Sequence, residues 1–267
     1  MSKLLDLHIV MPMAGEGQRF RKAGYNIAKP LIEIDGTTIY EKALSSLSYF
    51  ELNEPKCNTH YTFIVREEFK KDNIEEKLLS NFPKANIIYV KETTKGALET
   101  SYLAAPFIKD NEGVILMDCD MYFFSMSFIK TVKQQLKHKP ENVNPCLLTF
   151  EETNPRFSYV SLDEKGFAKE VIEKKPISNN AILGCYFVGS GNTFKTTAEK
   201  VIKDWYDNNI ESKEIYTSLL FNEYTKYCNV NVVKISPCKG EYYLSMGTPE
   251  EFEETKSLFD NTHTIIQ

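Results

Sequence analysis

Apolar residues fall in short, separated runs whose period changes along the chain. Residues 7–13 read Leu-His-Ile-Val-Met-Pro-Met and end at a glycine-bearing turn. A nearly continuous run of this kind predicts a strand buried on both faces. The short run 31–34 stops at Asp35-Gly36, a turn signal, and Ile39, Ala43, Leu44 and Leu47 then recur at helical spacing over residues 38–50. A strand is predicted at 61–65, a charged amphipathic helix at 67–82, a strand at 85–90, a helix at 96–108 and a buried strand at 114–117. This alternation predicts βαβ units and an α/β fold with a right-handed, mostly parallel sheet flanked by helices.

The rhythm changes near residue 150. Tyr159-Val160-Ser161-Leu162 runs into Asp163-Glu164-Lys165-Gly166, a hairpin pattern. A strand at 181–188, helices at 194–206 and 215–227, a strand at 230–235 and a helix at 249–259 complete the prediction. Pro249 and two acids open that last helix, as helix starts favour. No repeat, low-complexity tract or linker divides the chain. A single domain is expected, in two halves: about 1–150 and about 151–267.

Composition narrows the function. Hydrophobic residues make up 42% and charged residues 26%, an ordinary globular balance that gives no reason to expect disorder. The formal net charge of −5 argues against nucleic acid as a partner. None of the six cysteines forms a C-x-x-C pair, so reduced, buried thiols are expected rather than a zinc site. The N-terminus, broken by Asp6 and His8, makes a poor signal peptide, and no apolar run approaches the ~20 residues of a membrane helix. A cytoplasmic protein without membrane contact is expected.

Three segments carry chemistry. In the first, Ala14-Gly15-Glu16-Gly17-Gln18-Arg19-Phe20 follows the first strand, and Lys29-Pro30 comes shortly after. Two glycines allow a tight bend and close ligand approach, their amides can bind phosphate oxygens, and Arg19 and Lys29 add cations. Phe20 stands where a dinucleotide fingerprint needs its third glycine, and no Gly-Lys-Ser/Thr of a Walker loop follows. In the second, Val114-Ile-Leu-Met117 runs directly into Asp118-Cys119-Asp120. Carboxylates at the end of a parallel strand lie where such sheets place ligands, and as hard oxygen donors they suit Mg²⁺ held with phosphates. In the third, Glu173-Lys174-Lys175-Pro176 precedes a strand containing Gly184 and Tyr186. The lysines suit a second phosphate; read alone, a solvated Lys-Lys turn is a serious rival.

In this order the segments resemble the sugar-phosphate nucleotidyltransferase family, which includes glucose-1-phosphate thymidylyltransferases and mannose-1-phosphate guanylyltransferases. The resemblance runs from Val10 to about Phe252. It implies a Rossmann-like mixed sheet with a sugar-binding insertion in the second half. It also implies Mg²⁺ as cofactor, and a nucleoside triphosphate and a sugar phosphate as substrates. Ala14, Gly15, Gly17 and Arg19 would hold the triphosphate and Lys29 its α-phosphate region. Residues 92–97, with Thr94, Gly96 and Ala97, match the stretch that contacts the base. Asp120 matches the metal aspartate, Glu173 and Lys175 the motif at the sugar phosphate, and Gly184 and Tyr186 the sugar-pocket strand. Gly247-Thr248-Pro249 matches a late turn of the family. Two residues before that turn's glycine the family commonly carries a second metal-binding aspartate. Here Ser245 stands there, leaving Asp118, or one carboxylate with waters, to serve.

The implied reaction needs no base, because the attacking phosphate oxygen is already anionic. Two other enzyme readings share parts of the pattern. A cytidylyltransferase for a non-sugar phosphate, such as phosphocholine or glycerol phosphate, would use the same glycine loop. A glycosyltransferase could use Asp118-Cys119-Asp120 as a D-x-D metal motif, although it needs no triphosphate cradle. A non-catalytic nucleotide-sugar sensor is a third class. Base, acceptor and oligomeric state, a homo-oligomer included, are not legible.

Overall fold

The computed structural model describes residues 5–208 and 214–265. The first strand, β1 (Leu5–Met13), feeds the glycine turn and a short helix α1 (Gln18–Lys22). A small ribbon of β2 (Glu33–Ile34) and β3 (Thr37–Thr38) leads to α2 (Ile39–Ser45), which Thr38 and Glu41 cap reciprocally. Then come α3 (Tyr49–Leu52), β4 (Cys57–Arg66), α4 (Ile74–Asn81), β5 (Asn86–Val90), α5 (Ala97–Tyr102) and β6 (Gly113–Met117). The chain continues through β7 (Met121–Phe124), α6 (Met126–Gln135), β8 (Cys146–Glu151), β9 (Ser158–Leu162), β10 (Ala168–Glu173) and β11 (Asn180–Ser190). The last elements are α7 (Gly191–Asp207), α8 (Leu219–Tyr224), β12 (Asn231–Lys234), β13 (Tyr242–Ser245) and α9 (Pro249–Ile265).

Strands of both halves join one nine-stranded sheet. Its main path runs β10-β9-β11-β6-β1-β4-β5, with β8 beside β11 and β12 beside β8. The first-half strands β6, β1, β4 and β5 pair in parallel, so their C-terminal ends share one edge. The second half joins through β11, which runs antiparallel to β6. Alternate residues of β1 serve opposite cores: Leu7, Ile9, Met11 and Met13 enter one cluster and Val10 the other. Burial on both faces is what makes this strand read as continuous apolar sequence.

Several predicted elements differ in extent. The expected helix 67–82 divides at Asn73, whose φ of +55° ends a 3-10 turn before α4 begins. The helix expected at 96–108 stops after α5, and a 3-10 turn containing Pro106 follows. The helix α6 and the strands β7, β8 and β13 were not legible in the pattern. Among the described residues no helix is long and apolar enough to cross a membrane.

Candidate active site

The C-terminal ends of β1 and β6 put two loops side by side: residues 14–17 after β1, and Asp118-Cys119-Asp120 after β6. This is the strand edge at which α/β sheets gather ligands. The second loop is fixed from two directions. Asp118 N–H donates to Gly184 O at 2.7 Å, and Met246 N–H donates to Asp120 O at 2.8 Å. The ribbon of β7 with β13 thus carries the Gly247 turn up to the carboxylates.

Two cavities open at this edge. The smaller, about 230 Å³, lies over the glycine loop and is lined by Gly15, Gly17, Lys29 and the Asp118–Asp120 loop. Gly17 has φ +63°, a backbone state that favours glycine, and nothing lies within 4 Å of the side-chain position at Gly15. The bare loop therefore leaves its backbone open to a ligand. Ala14 sends its methyl into the core, so only its backbone can serve the loop. Lys29 is held by a 3-10 turn with Pro30, and its side chain is only 16% exposed. Its ammonium donates to Asp120 Oδ2 at 2.5 Å and to Gly247 O at 3.2 Å. Burial alone would lower its pKa; the neighbouring Asp120, through its charge and hydrogen bond, together with Cys119 and Asp118 outweighs this and holds the group above its usual value.

The larger cavity, about 300 Å³, lies on the second-half side and shares Asp118 and Asp120 with the smaller. Arg19 lines this cavity rather than the glycine-loop one, beside Ala97, Glu173, Gly184 and Tyr186. Glu173 Oε2 accepts hydrogen bonds from Ser158 Oγ and from Ser218 Oγ, the latter at 2.9 Å. Burial, reinforced by the charge of Asp120, raises the pKa of Asp118, and burial lifts the Tyr186 phenol well above its ordinary value.

The remaining expected residues take other places. Thr94 and Gly96 line neither cavity: the Thr94 hydroxyl donates to Gly96 O at 3.1 Å, and Gly96 packs against the backbone of Ile215. Lys174, with φ +55°, puts its ammonium 2.7 Å from the Tyr216 hydroxyl, and Tyr216 lines the larger cavity. Lys175 is exposed and lines neither cavity. Sequence reasoning missed Arg156, Phe157, Ser158, Tyr216, Ser218 and Glu251, which complete the larger wall. Glu251 alone had a local signal, because Thr248 three residues earlier makes a capping pair with it. Ser245 lacks a carboxylate but donates its hydroxyl to Glu251 Oε2 at 2.9 Å, while Arg156 pairs with Oε1.

Among the described residues, Asp118, Asp120, Glu173 and Glu251 line the larger cavity against two cations, Arg19 and Arg156. A polyanionic substrate here needs added positive charge. The hard donors at the junction, Asp118, Asp120 and the Gly247 carbonyl, suit Mg²⁺, which commonly takes one or two protein carboxylates and completes its shell with phosphate oxygens and water. Among the described residues no three His, Cys, Asp or Glu side chains gather as a dedicated cage.

Comparison with known proteins gives a consistent picture. The sequence model of the nucleotidyl transferase family matches residues 8–260. No curated protein sequence matches the chain. Among solved structures, a nucleoside-diphosphate-sugar pyrophosphorylase from Vibrio cholerae superposes with a TM-score of 0.74 at 21% identity, covering 92% of this chain and 98% of its own. A putative glucose-1-phosphate thymidylyltransferase from Bacillus anthracis gives 0.72 at 16% identity, with 94% of each chain covered. An inositol-1-phosphate CTP transferase from T. maritima gives 0.67 at 14% identity, covering 94% and 93%. At these identities the likeness is one of fold.

Proposed function

Because the chain belongs to the nucleotidyl transferase family, we propose that it transfers a nucleoside monophosphate from a nucleoside triphosphate to a sugar phosphate, forming a nucleotide sugar and pyrophosphate. One observation carries this reading: the glycine-loop cavity and the second-half cavity meet at Asp118 and Asp120. A triphosphate on the loop and an acceptor in the larger cavity would present their reacting phosphates to each other at that junction.

The chemistry asks for alignment and charge neutralisation more than for a base. An acceptor phosphate oxygen attacks the α-phosphorus, the bond to the β-phosphate oxygen breaks, and pyrophosphate leaves with that electron pair. The open backbone of Gly15 and Gly17 would receive the triphosphate, and Lys29 and Arg19 would offset charge on the two phosphates. Asp118 and Asp120 would hold Mg²⁺, which when bound neutralises phosphate charge and stabilises the departing pyrophosphate. Glu173, fixed by Ser158 and Ser218, would accept hydrogen bonds from hydroxyls of a sugar. Lys174, whose ammonium meets the hydroxyl of Tyr216 in the cavity wall, would lend positive charge to the acceptor.

The test is pyrophosphate release from each ribonucleoside triphosphate and deoxythymidine triphosphate against a panel of sugar phosphates. Turnover with at least one sugar phosphate, abolished in Asp120→Asn, is expected. Turnover only with phosphocholine or glycerol phosphate would replace the acceptor class, and no turnover with any pair would remove the reaction.

A further inference from the structure

Lys29 and Asp120 are both assigned to substrate polyanions or their cation, yet they are engaged with each other. The Lys29 ammonium takes the Asp120 carboxylate at 2.5 Å and the Gly247 carbonyl at 3.2 Å, with the Phe20 ring centroid 5.2 Å away. These two oxygens are two of the three hard donors that a divalent ion would use at the junction, the third being Asp118. An ammonium and a dication cannot share them, because two cations a few ångströms apart repel strongly in a partly buried site. The lysine is also free to choose. Pro30 fixes its backbone in the 3-10 turn, but its stem is flexible and runs beside the glycine loop. The side-chain position at Gly17 is 3.4 Å from Lys29 Cβ. From one anchored backbone, the ammonium can lie on Asp120 or turn toward a phosphate on the loop.

We infer that Lys29 is a resident cation on the Asp120–Gly247 oxygen seat, and that divalent metal enters only as the lysine leaves for the triphosphate. The inference deepens the proposed reaction and rests on its assignment of a triphosphate to the glycine loop. The consequence is coupled binding. Metal alone meets an occupied seat, whereas nucleotide draws Lys29 away and opens it, so each ligand strengthens the other. The carboxylate is never left as an uncompensated charge in a half-buried wall, which would be costly. Lys29 is here a positioning residue for the cation as well as a phosphate contact.

The experiment measures Mn²⁺ binding by electron paramagnetic resonance, on the whole protein without nucleotide. Wild type should bind weakly. Lys29→Met should bind about tenfold tighter or more, since removing the ammonium frees the seat and ends the repulsion. Adding Asp120→Asn to Lys29→Met should erase the gain. Arg19→Met is the control for general charge, because Arg19 lines the larger cavity together with Asp120 and makes no hydrogen bond to it. Thermal melts confirm folding, and Lys29→Gln replaces Lys29→Met should that variant not fold. In wild type, a non-hydrolysable triphosphate analogue should tighten Mn²⁺ binding more than it does in Lys29→Met. Unchanged Mn²⁺ affinity in Lys29→Met, or an equal gain in Arg19→Met, would overturn the inference. The reaction is judged separately: a wild type that releases pyrophosphate while Lys29→Met gains nothing retains the reaction and loses the seat. A gain at Lys29 in a protein inert with every substrate pair retains the seat and loses the reaction.

Discussion

The carboxylate of Asp118 occupies the space that a side chain at Gly184 would need: a Cβ there would stand 2.8 Å from Asp118 Cγ. The pairing is reinforced along the backbone, where Asp118 N–H donates to Gly184 O at 2.7 Å. A glycine in a strand often marks such an approach. Here what approaches is the protein's own carboxylate, so β11 sets where Asp118 points.

Gly184→Ala should therefore act on activity through Asp118. The residue has no positive φ to strain, so the effect is steric. Forcing a methyl into this contact should cost about 1–3 kcal/mol of stability. Turnover should fall about tenfold or more, as expected when a site group moves by a fraction of an ångström to an ångström. Chemical melts and steady-state kinetics check both. Normal turnover in a folded variant would separate Asp118 from the reaction.

Gly96 is a second close approach with a different consequence. A Cβ there would lie 2.5 Å from Ile215 O, and two backbone bonds join the same segments: Leu98 N–H to Ile215 O at 3.0 Å and Ile215 N–H to Lys95 O at 2.7 Å. The segment beginning at Ile215 goes on to Tyr216 and Ser218 in the wall of the larger cavity, the proposed acceptor site. Gly96→Ala should therefore raise the KM for nucleotide and for acceptor together, each by about fivefold or more. A rise confined to one substrate would break the link between the turn and the wall.

At the opposite end of the sheet, stability is tied to pH. Buried His8 bridges Glu112 Oε1 at 2.9 Å and Thr62 Oγ1 at 2.8 Å, and Glu112 also accepts from the Lys109 amide at 2.7 Å. Burial alone would raise the pKa of Glu112, but these hydrogen bonds outweigh it and hold it below the usual carboxylate range. A depressed native pKa stabilises the fold above the unfolded value of about 4.3, and that stability is lost as pH falls through the native value. Glu112→Gln should cost about 1–3 kcal/mol at pH 7, the scale of leaving buried hydrogen-bonding groups without their partner. Urea melts should show the gap between wild type and variant holding down to about pH 5 and shrinking below pH 4. A gap that stays constant to low pH would mean that Glu112 is not ionised in the fold.

The glycine-loop cavity was legible in the sequence because its parts are contiguous. A glycine turn after a strand, and two acids after another, are short local patterns whose positions follow from the parallel sheet. The wall of the larger cavity was far less legible. Arg156, Ser158, Tyr216, Ser218 and Glu251 come from separated parts of the chain, and only the antiparallel pairing around β11 and the packing of α8 and α9 bring them together. Helix α6 escaped notice for a related reason. Its Lys133 is buried, donating to Tyr49 O and Asn53 O at 3.0 and 2.6 Å, so a core-facing position reads as polar. The break at Asn73 depends on one left-handed residue inside an otherwise helical pattern.

The two adjacent lysines offer the sharpest test of the acceptor side. Sequence resemblance matches Lys175 to the sugar-phosphate motif, while the geometry ties the equally exposed Lys174 to Tyr216 of the cavity wall. Lys174 lies 2.7 Å from the Tyr216 hydroxyl and 4.7 Å from its ring centroid, and its N–H donates to Phe157 O at 3.0 Å. The hydrogen bond to Tyr216 is the main reason its pKa lies above the usual value, so the ammonium is charged throughout the neutral range. A cation at the rim should help an anionic acceptor and matter little to a nucleotide on the glycine loop. Lys174→Ala should then raise the acceptor KM by about five- to tenfold and change the nucleotide KM by less than about twofold. Lys175→Ala, at an exposed position, should stay within about 0.5 kcal/mol of wild type in stability and near it in kinetics. Tyr216→Phe separates charge from placement: it removes the hydroxyl that holds the ammonium while keeping the ring, and should give a smaller rise in acceptor KM than Lys174→Ala. If Lys175→Ala carries the acceptor effect and Lys174→Ala does not, the phosphate binds on the outer side of the turn and the larger cavity is not its seat. If neither changes the acceptor KM, the positive charge opposing Glu173 and Glu251 must come from Arg19, Arg156 and the bound cation.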